Sequence, residues 1–350
     1  MPRVVGIDPG TVSLDICGLD DSRLFLDASW PTGDAVADPD GLAREIAASG
    51  PLDVVVGPSG YGLPVTLAAA VNDDDLRLAF LSPPGDPGGI AGIGRLARSL
   101  GQSGLPVVFI PGIVHLDTVP RHRKLNRVDL GTADKVSATA LAIAEHSKRR
   151  GRRLSDVSLI LVELGGAFTA GIAVHRGQIV DGVGGTAGPI GWRSSGAWDG
   201  EVAFLAGEVT KADLFQGGVE TILGRDSAER ETAIEAYVEG IVRMVAQLLC
   251  SAPDADEVML SGRRAADPEV LRRISDKLAG PRHVRPLAGF ASVAKEGAQG
   301  AALIADGLAG GTNRDLVERL RLRNAAGTVL DYLHVITPDT ARSRLGLPSR

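Results

Sequence analysis

What the chain has little of narrows its reading first. Its 350 residues include two cysteines, Cys17 and Cys250. So small a set supports no disulfide framework, and both read as reduced core thiols of a cytoplasmic protein. Nothing approaches the run of about eighteen apolar residues that a spanning helix needs, so no membrane association is expected. Positive charge is also short: 37 Lys and Arg against 43 Asp and Glu leave a net charge of -6. That balance argues against a nucleic-acid partner. The one basic run, residues 148–153, reads as the cationic end of a helix leading into a linker. The opening MPRVVGID lacks the layout of a secretory signal, because strand-like residues begin at once.

Glycine, by contrast, is abundant. The 45 glycines are nearly twice the ordinary share of about 7%. They gather in short clusters between apolar segments, where tight turns or a close approach of backbone to ligand would need them. With 44% hydrophobic and 23% charged residues the chain has a globular balance, and its length suits two domains.

The same plan is written twice. Residues 4–8 form a short apolar run suited to a buried strand, Pro9-Gly10-Thr11 supplies a turn, and 12–19 and 23–30 read as two further strands. A helix follows, with Asp38 as N-cap, Pro39 in first position and Gly50 past the end. Strands at 53–56 and 107–110 and a helix at 133–149 complete this half. The second half repeats the order: a strand at 158–164, a Gly165-Gly166 turn, strands at 168–174 and 178–183, then a helix at 228–249. A strand at 258–260, a helix at 268–278, a strand around Val284 and a last helix at 292–308 follow. The expected fold class is α/β with mixed sheets; two unrelated α/β domains are the plainer alternative. The division falls at 1–154 and 155–311, with a helical segment at 312–350 whose Leu316, Leu320 and Leu330 suit it to pack back on the first lobe.

Each half sets a glycine turn after its opening strand. In Asp8-Pro9-Gly10-Thr11 and in Gly165-Gly166-Ala167-Phe168-Thr169, backbone N–H groups can face a polyanion unobstructed. The hydroxyls of Thr11, Ser13 and Thr169 can add donors, and Asp8 is placed to hold Mg²⁺ through water. Singly, either turn equally makes an ordinary hairpin; the repetition carries the signal. Asp134, in the first turn of a helix, either favours the helix dipole or faces an acceptor as base or positioning group. The polar stretch 115–127, with His115, Arg121, Arg123 and Arg127, either grips an anion or is a solvated basic loop. Ser59-Gly60-Tyr61-Gly62, 184–188 and 194–199 either line an acceptor pocket or are plain loops.

VVGIDPGT at 4–11, DLGTADK at 129–135, VELGGAFTAG at 162–171, KEGAQGAA at 295–302 and NAAGTVLDY at 324–332 carry a resemblance that covers nearly the whole chain. It resembles the family of predicted butyrate kinases, a domain of unknown function in the superfamily of acetate kinase, sugar kinases and actin. The resemblance implies two ribonuclease H-like lobes of the actin-like ATPase fold, with ATP and Mg²⁺ in the interlobe cleft. Phosphates would lie on Gly10, Thr11, Ser13, Gly165, Gly166, Ala167 and Thr169, and the adenosine by Ser261, Gly262 and Gly297. Asp8 and Glu163 would hold the metal, Asp134 would face the acceptor, and Arg263 or an arginine of 121–127 would neutralise charge in transfer. The implied reaction phosphorylates a short-chain carboxylic acid such as butyrate. A hydroxyl acceptor, an ATP or phosphoanhydride hydrolase and a nucleotide-gated regulator remain alternatives, and a homodimer is left open. Characterised short-chain acyl kinases tend to carry histidine or asparagine before the second turn. Here Glu163 stands there, and an extra carboxylate would repel an acid substrate.

Overall fold

The computed structural model describes residues 2–85, 92–225, 229–278 and 282–349. Its strands form two sheets. The first holds β1 (Arg3–Pro9), β2 (Ser13–Asp20), β3 (Arg23–Pro31), β4 (Val54–Val56), β5 (Gly62–Leu67) and β6 (Val107–Pro111), in the order β3-β2-β1-β4-β6-β5. The second holds β7 (Leu159–Leu164), β8 (Thr169–His175), β9 (Gln178–Val183), β10 (Glu257–Ser261) and β11 (His283–Pro286), in the order β11-β10-β7-β8-β9. With β5 set aside the two sheets match. Each is an antiparallel meander followed by two strands parallel to its first. β1 and β7 are therefore counterparts, and a glycine turn follows each. Both sit at the centre of their sheets, and Val4, Val5, Leu159, Ile160, Leu161 and Val162 are 0% exposed. Apolar residues on both faces suit strands covered on both sides.

Local chemistry accounts for the helices that frame these sheets. Pro39–Ala48 starts where the Asp38 carboxylate accepts from the Gly41 N–H. Ala133–Arg150 runs from Thr132 to a left-handed Gly151. Its cationic end does more than meet the helix dipole. Arg149 and Arg150 pair with Glu257 of β10, and Arg152 pairs with Asp256. The long second-half helix is Arg230–Leu249; Ala228, where the sequence starts it, lies outside the described residues. Between β4 and β6 the sequence reading names no elements. The structure has β5 there and helices at Asp73–Phe80 and Ile93–Gln102, the first opened by a reciprocal cap between Asn72 and Asp75.

The helix Glu296–Leu308 sits differently from its place in the sequence division. Counted within 155–311, it packs on β1 and on the Ala133–Arg150 helix. Glycine makes the contact close: a Cβ on Gly6 would overlap the Ala302 amide, and one on Gly300 would overlap the Ser137 carbonyl. The segment after it also lies against the first half. The His334 and Val335 N–H groups donate to Asn126 Oδ1 at 2.7 and 2.9 Å, the Ala326 N–H donates to the His115 carbonyl, and Arg77 reaches the Gly346 carbonyl. Leu316, Leu320, Leu322 and Leu330 are buried in the same core. Cys17 is buried as expected, whereas Cys250 is exposed, because it lies just past the helix end rather than on its packed face. Among the described residues no helix is long and apolar enough to cross a membrane.

Candidate functional site

The two glycine turns face each other. β1 ends at Asp8-Pro9, and the Gly10 N–H turns back to the Asp8 carbonyl while Thr32 Oγ1 donates to the Gly10 carbonyl at 2.7 Å. Across from it the Gly165 N–H donates to the Phe168 carbonyl. A Cβ built on Gly166 would stand 3.9 Å from Thr11 Oγ1 and 3.8 Å from Val12. Two turns 155 positions apart in sequence thus come within van der Waals reach, one from each sheet.

A cluster of charges lies just beneath them. Asp8, Asp134, Glu163, Ser261, Gly262, Lys295, Glu296 and Gly297 line one small cavity. Lys135 Nζ lies 2.5 Å from Asp134 and 2.9 Å from Glu163, joining the first-half helix to the end of β7. Burial opposes charge on Lys135, yet the two carboxylates outweigh it and hold the ammonium protonated well above the ordinary lysine range. Burial would raise Asp134 too, but Lys135 and the Thr132 hydroxyl, which donates to its other oxygen, keep it below its ordinary value. Asp8 goes the other way: burial, then the negative charge of Asp134, push it well up. Burial likewise raises Glu163 and Glu296. Lys295 donates to Ser13 Oγ and lies 3.1 Å from the buried Asp15.

These positions bear on a divalent cation. Among the described residues no hydrogen bond satisfies the Asp8 carboxylate, and no three metal-ligating side chains converge. Mg²⁺ asks for little more than one or two carboxylates, waters and phosphate oxygens. Asp8 fits that demand. Glu163, expected beside it as a ligand, lines the same cavity and pairs there with Lys135.

A cleft of about 180 Å³ opens on the other side of Asp134. Ile7, Val56, Phe80, Ile93 and Ile110 give it an apolar wall, while Gly10, Thr11, Asp134, Lys135, Phe168 and Lys211 border it. Tyr61, Asp129 and Thr186 close one side; Asp129 Oδ2 accepts from both the Thr186 N–H (3.0 Å) and hydroxyl (2.9 Å), tying the halves together. Burial, then Asp129, raises the Tyr61 phenol, so it stays neutral. Lys211 Nζ stands 5.4 Å from the Tyr61 ring centre. The loops at 59–62 and 184–188 therefore contribute to the cleft, while 194–199 sits apart from it around a separate hollow.

Other sequence candidates lie elsewhere. Thr169 is 0% exposed and its hydroxyl points into the core, because it opens β8 on the covered face. Ala167 is buried too, its carbonyl accepting from the Arg193 and Ser194 N–H groups. Arg263 is exposed, and its neighbour Arg264 stacks over Trp192 at 3.5 Å. No arginine of 121–127 is among the described residues that line the cleft: Arg123 donates to the Val180 carbonyl, and Arg121 lies 5.9 Å from the Tyr332 ring centre. His115 is buried beside the Gly112 carbonyl, and burial pushes its pKa down to about 4. By contrast Gly262 and Gly297 are where bulk is excluded. A Cβ on Gly262 would meet the Leu164 carbonyl at 2.8 Å, and one on Gly297 would meet Asp8 Oδ2 at 2.5 Å. Sequence reasoning gave no role to Lys135, Lys295 or Lys211; the Asp134-Lys135 adjacency at a helix start was the available signal for the first.

Solved structures share this architecture. A propionate kinase from Francisella tularensis subsp. tularensis SCHU S4 superposes with a TM-score of 0.60 at 14% identity, over 86% of this chain and 98% of that one. The acetate kinase of Entamoeba histolytica gives 0.54 at 11% identity, over 79% and 86%. That of Porphyromonas gingivalis gives 0.54 at 12%, over 86% and 98%. At such identities the likeness is one of fold, the two-lobed α/β fold of these kinases. No curated protein matches the sequence. The family model described as "Protein of unknown function (DUF1464)" matches residues 6–335, and the chain belongs to that family.

Proposed function

We propose that the protein is an ATP-dependent kinase that phosphorylates a short-chain carboxylic acid with an apolar tail. The nucleotide's phosphates rest between the Gly10-Thr11 and Gly165-Gly166 turns, and its acceptor occupies the apolar cleft beyond Asp134. Asp8 holds Mg²⁺, which when bound neutralises charge on the phosphates.

One observation carries the acid acceptor: Asp134 is held ionised and weakly basic by Lys135 and Thr132. A general base works best with a pKa near the working pH, which Asp134 lacks. A carboxylate acceptor needs no base. One of its oxygens attacks the γ-phosphorus, the new O–P bond forms as the bond to the bridging oxygen breaks, and ADP leaves with that electron pair. No proton has to move. Asp134 then positions the reacting groups. The apolar wall of Val56, Phe80, Ile93 and Ile110 suits an alkyl tail better than a polyol. Lys135 also answers the objection that Glu163 would repel an acid, since the two charges are paired.

The test is ADP release with ATP and Mg²⁺ against short acids, polyols and sugars, with hydroxylamine trapping of any acyl phosphate. Release that requires a short acid and yields a trapped hydroxamate is expected. Release that requires a polyol or sugar, or that needs no acceptor, overturns the proposal.

A further inference from the structure

We propose that Lys135 is the cation that meets the transferred phosphoryl group, leaving Glu163 for the γ-phosphate when the nucleotide enters. This rests on the reading of the cleft as the site of a nucleoside triphosphate, and it assigns a role that neither the sequence motifs nor the comparisons give.

Position is the first ground. Lys135 lines the acceptor cleft together with Gly10, Thr11 and Asp134, and its ammonium reaches Glu163, which lines the charged cavity with Asp8. A phosphoryl group passing from the glycine turns to an acceptor beside Asp134 therefore passes Lys135.

Charge is the second. Asp8, Asp134, Glu163 and Glu296 crowd the place where a polyphosphate has to sit, with Lys135 and Lys295 as the cations in contact with the cluster. Lys295 lines the same cavity, but its ammonium is engaged by Ser13 and Asp15. Lys211 lies 5.4 Å from the centre of the Tyr61 ring and lines the acceptor cleft, not the charged cavity. The arginines that the sequence offers for this task lie outside the cleft, Arg263 in solvent and Arg123 on the Val180 carbonyl.

Mobility is the third. Lys135 bridges two halves of the molecule, from the Ala133–Arg150 helix to the end of β7. An ammonium on a four-carbon stem can exchange one oxygen partner for another without backbone movement. With the γ-phosphate present, it trades Glu163 for a partner of higher charge while Asp134 keeps it in register. As charge shifts to the leaving ADP oxygen, a donor already in place needs no reorganisation.

The experiment is a calorimetric titration with ATP and with ADP, each with Mg²⁺, on wild type, Lys135→Met and Glu163→Gln, with melting curves as the folding control. A charge-assisted hydrogen bond contributes about 1.5–3 kcal/mol, so Lys135→Met should weaken ATP about tenfold or more and ADP by less than about twofold. Glu163→Gln, which frees the lysine, should tighten ATP relative to ADP. On an accepted acid, Lys135→Met should cut kcat by about 10²–10³ with an unchanged KM for the acid. An unchanged ATP-to-ADP ratio in a folded Lys135→Met protein overturns the role. If that variant does not fold, a Glu163→Gln protein with no gain for ATP overturns it instead. Absent acceptor-dependent ADP release overturns the kinase reading alone, since the two titrations still decide on Lys135.

Discussion

Burial and neighbouring negative charge give the Asp8 carboxylate surroundings that suit a cation better than they suit the folded chain alone. Burial and Asp134 raise its pKa, so the folded protein keeps the proton to higher pH than the unfolded chain does. The sign follows from linkage. Below the unfolded value of about 4 the folded and unfolded groups are both protonated, and Asp8 costs nothing. As pH rises through the raised folded value, ionising the buried group costs stability. Asp8→Asn removes that cost, so without ligand it should melt above wild type at neutral pH, with the gain shrinking as pH falls toward about 4. On the proposed function Mg²⁺ with ATP should stabilise wild type, and the same variant should lose that stabilisation. Melting curves across pH check both, and an Asn variant less stable than wild type at neutral pH would sink the argument. The turn that sets Asp8 beside Gly10 was legible because turn chemistry is local. The pairing of Lys135 with Glu163 was not, since it depends on how two elements 28 positions apart meet. Thr169 failed for a related reason: strand alternation gives it a face but does not say which face is covered.

At the scale of elements, the sequence shows most where a strand or helix carries its own punctuation. The Asp38-Pro39 start and the paired meanders come from short-range signals, and the structure has them in the same places. The stretch between β4 and β6 stayed unread although Asn72 and Asp75 cap a helix there, because that helix is only eight residues long and the one strand beside it lies at the sheet edge. The Glu296–Leu308 helix shows both sides. Its small residues permit either a nucleotide or another helix to approach, and composition alone does not separate the two. In the structure Gly300 sits against Ser137 of the neighbouring helix, whereas Gly297 makes room for Asp8. The two glycines should therefore respond differently to alanine. Overpacking a close contact typically costs about 1–3 kcal/mol, so Gly300→Ala should lower the melting temperature with or without nucleotide. Gly297→Ala presses on the Asp8 side chain next to the proposed phosphate turns, and its main effect should fall on nucleotide affinity. Melting and titration of both variants separate the cases; equal losses of stability with equal affinities would contradict this division.

The whole molecule is not two beads on a string, although its internal repeat invites that picture. The last helix of the repeat lies on β1, and the segment after it buries Leu316, Leu320, Leu322, Leu330, Leu345 and Leu347 in the core that β1 shares with the Ala133–Arg150 helix. Each such side chain contributes about 1.5–3 kcal/mol when fully buried, and a domain's net stability is only about 5–15 kcal/mol. A fragment of residues 1–154 would lack all of them and also expose the apolar face of β1 that the helix covers. It should therefore not fold alone, while the full chain should melt in one transition because the first sheet cannot outlast the loss of its last helix. Deleting the segment after Gly311 should lower the melting temperature of the whole chain rather than abolish one half selectively. The decisive measurement is a melt of the 1–154 fragment beside the intact chain. A cooperative transition in the isolated fragment would show that its core is complete without the end of the chain, and would return the molecule to two independent lobes. Its absence, with a single transition in the intact chain, would mean that the chain's end completes the first lobe. The cleft that Lys135 spans would then be set by one cooperative unit.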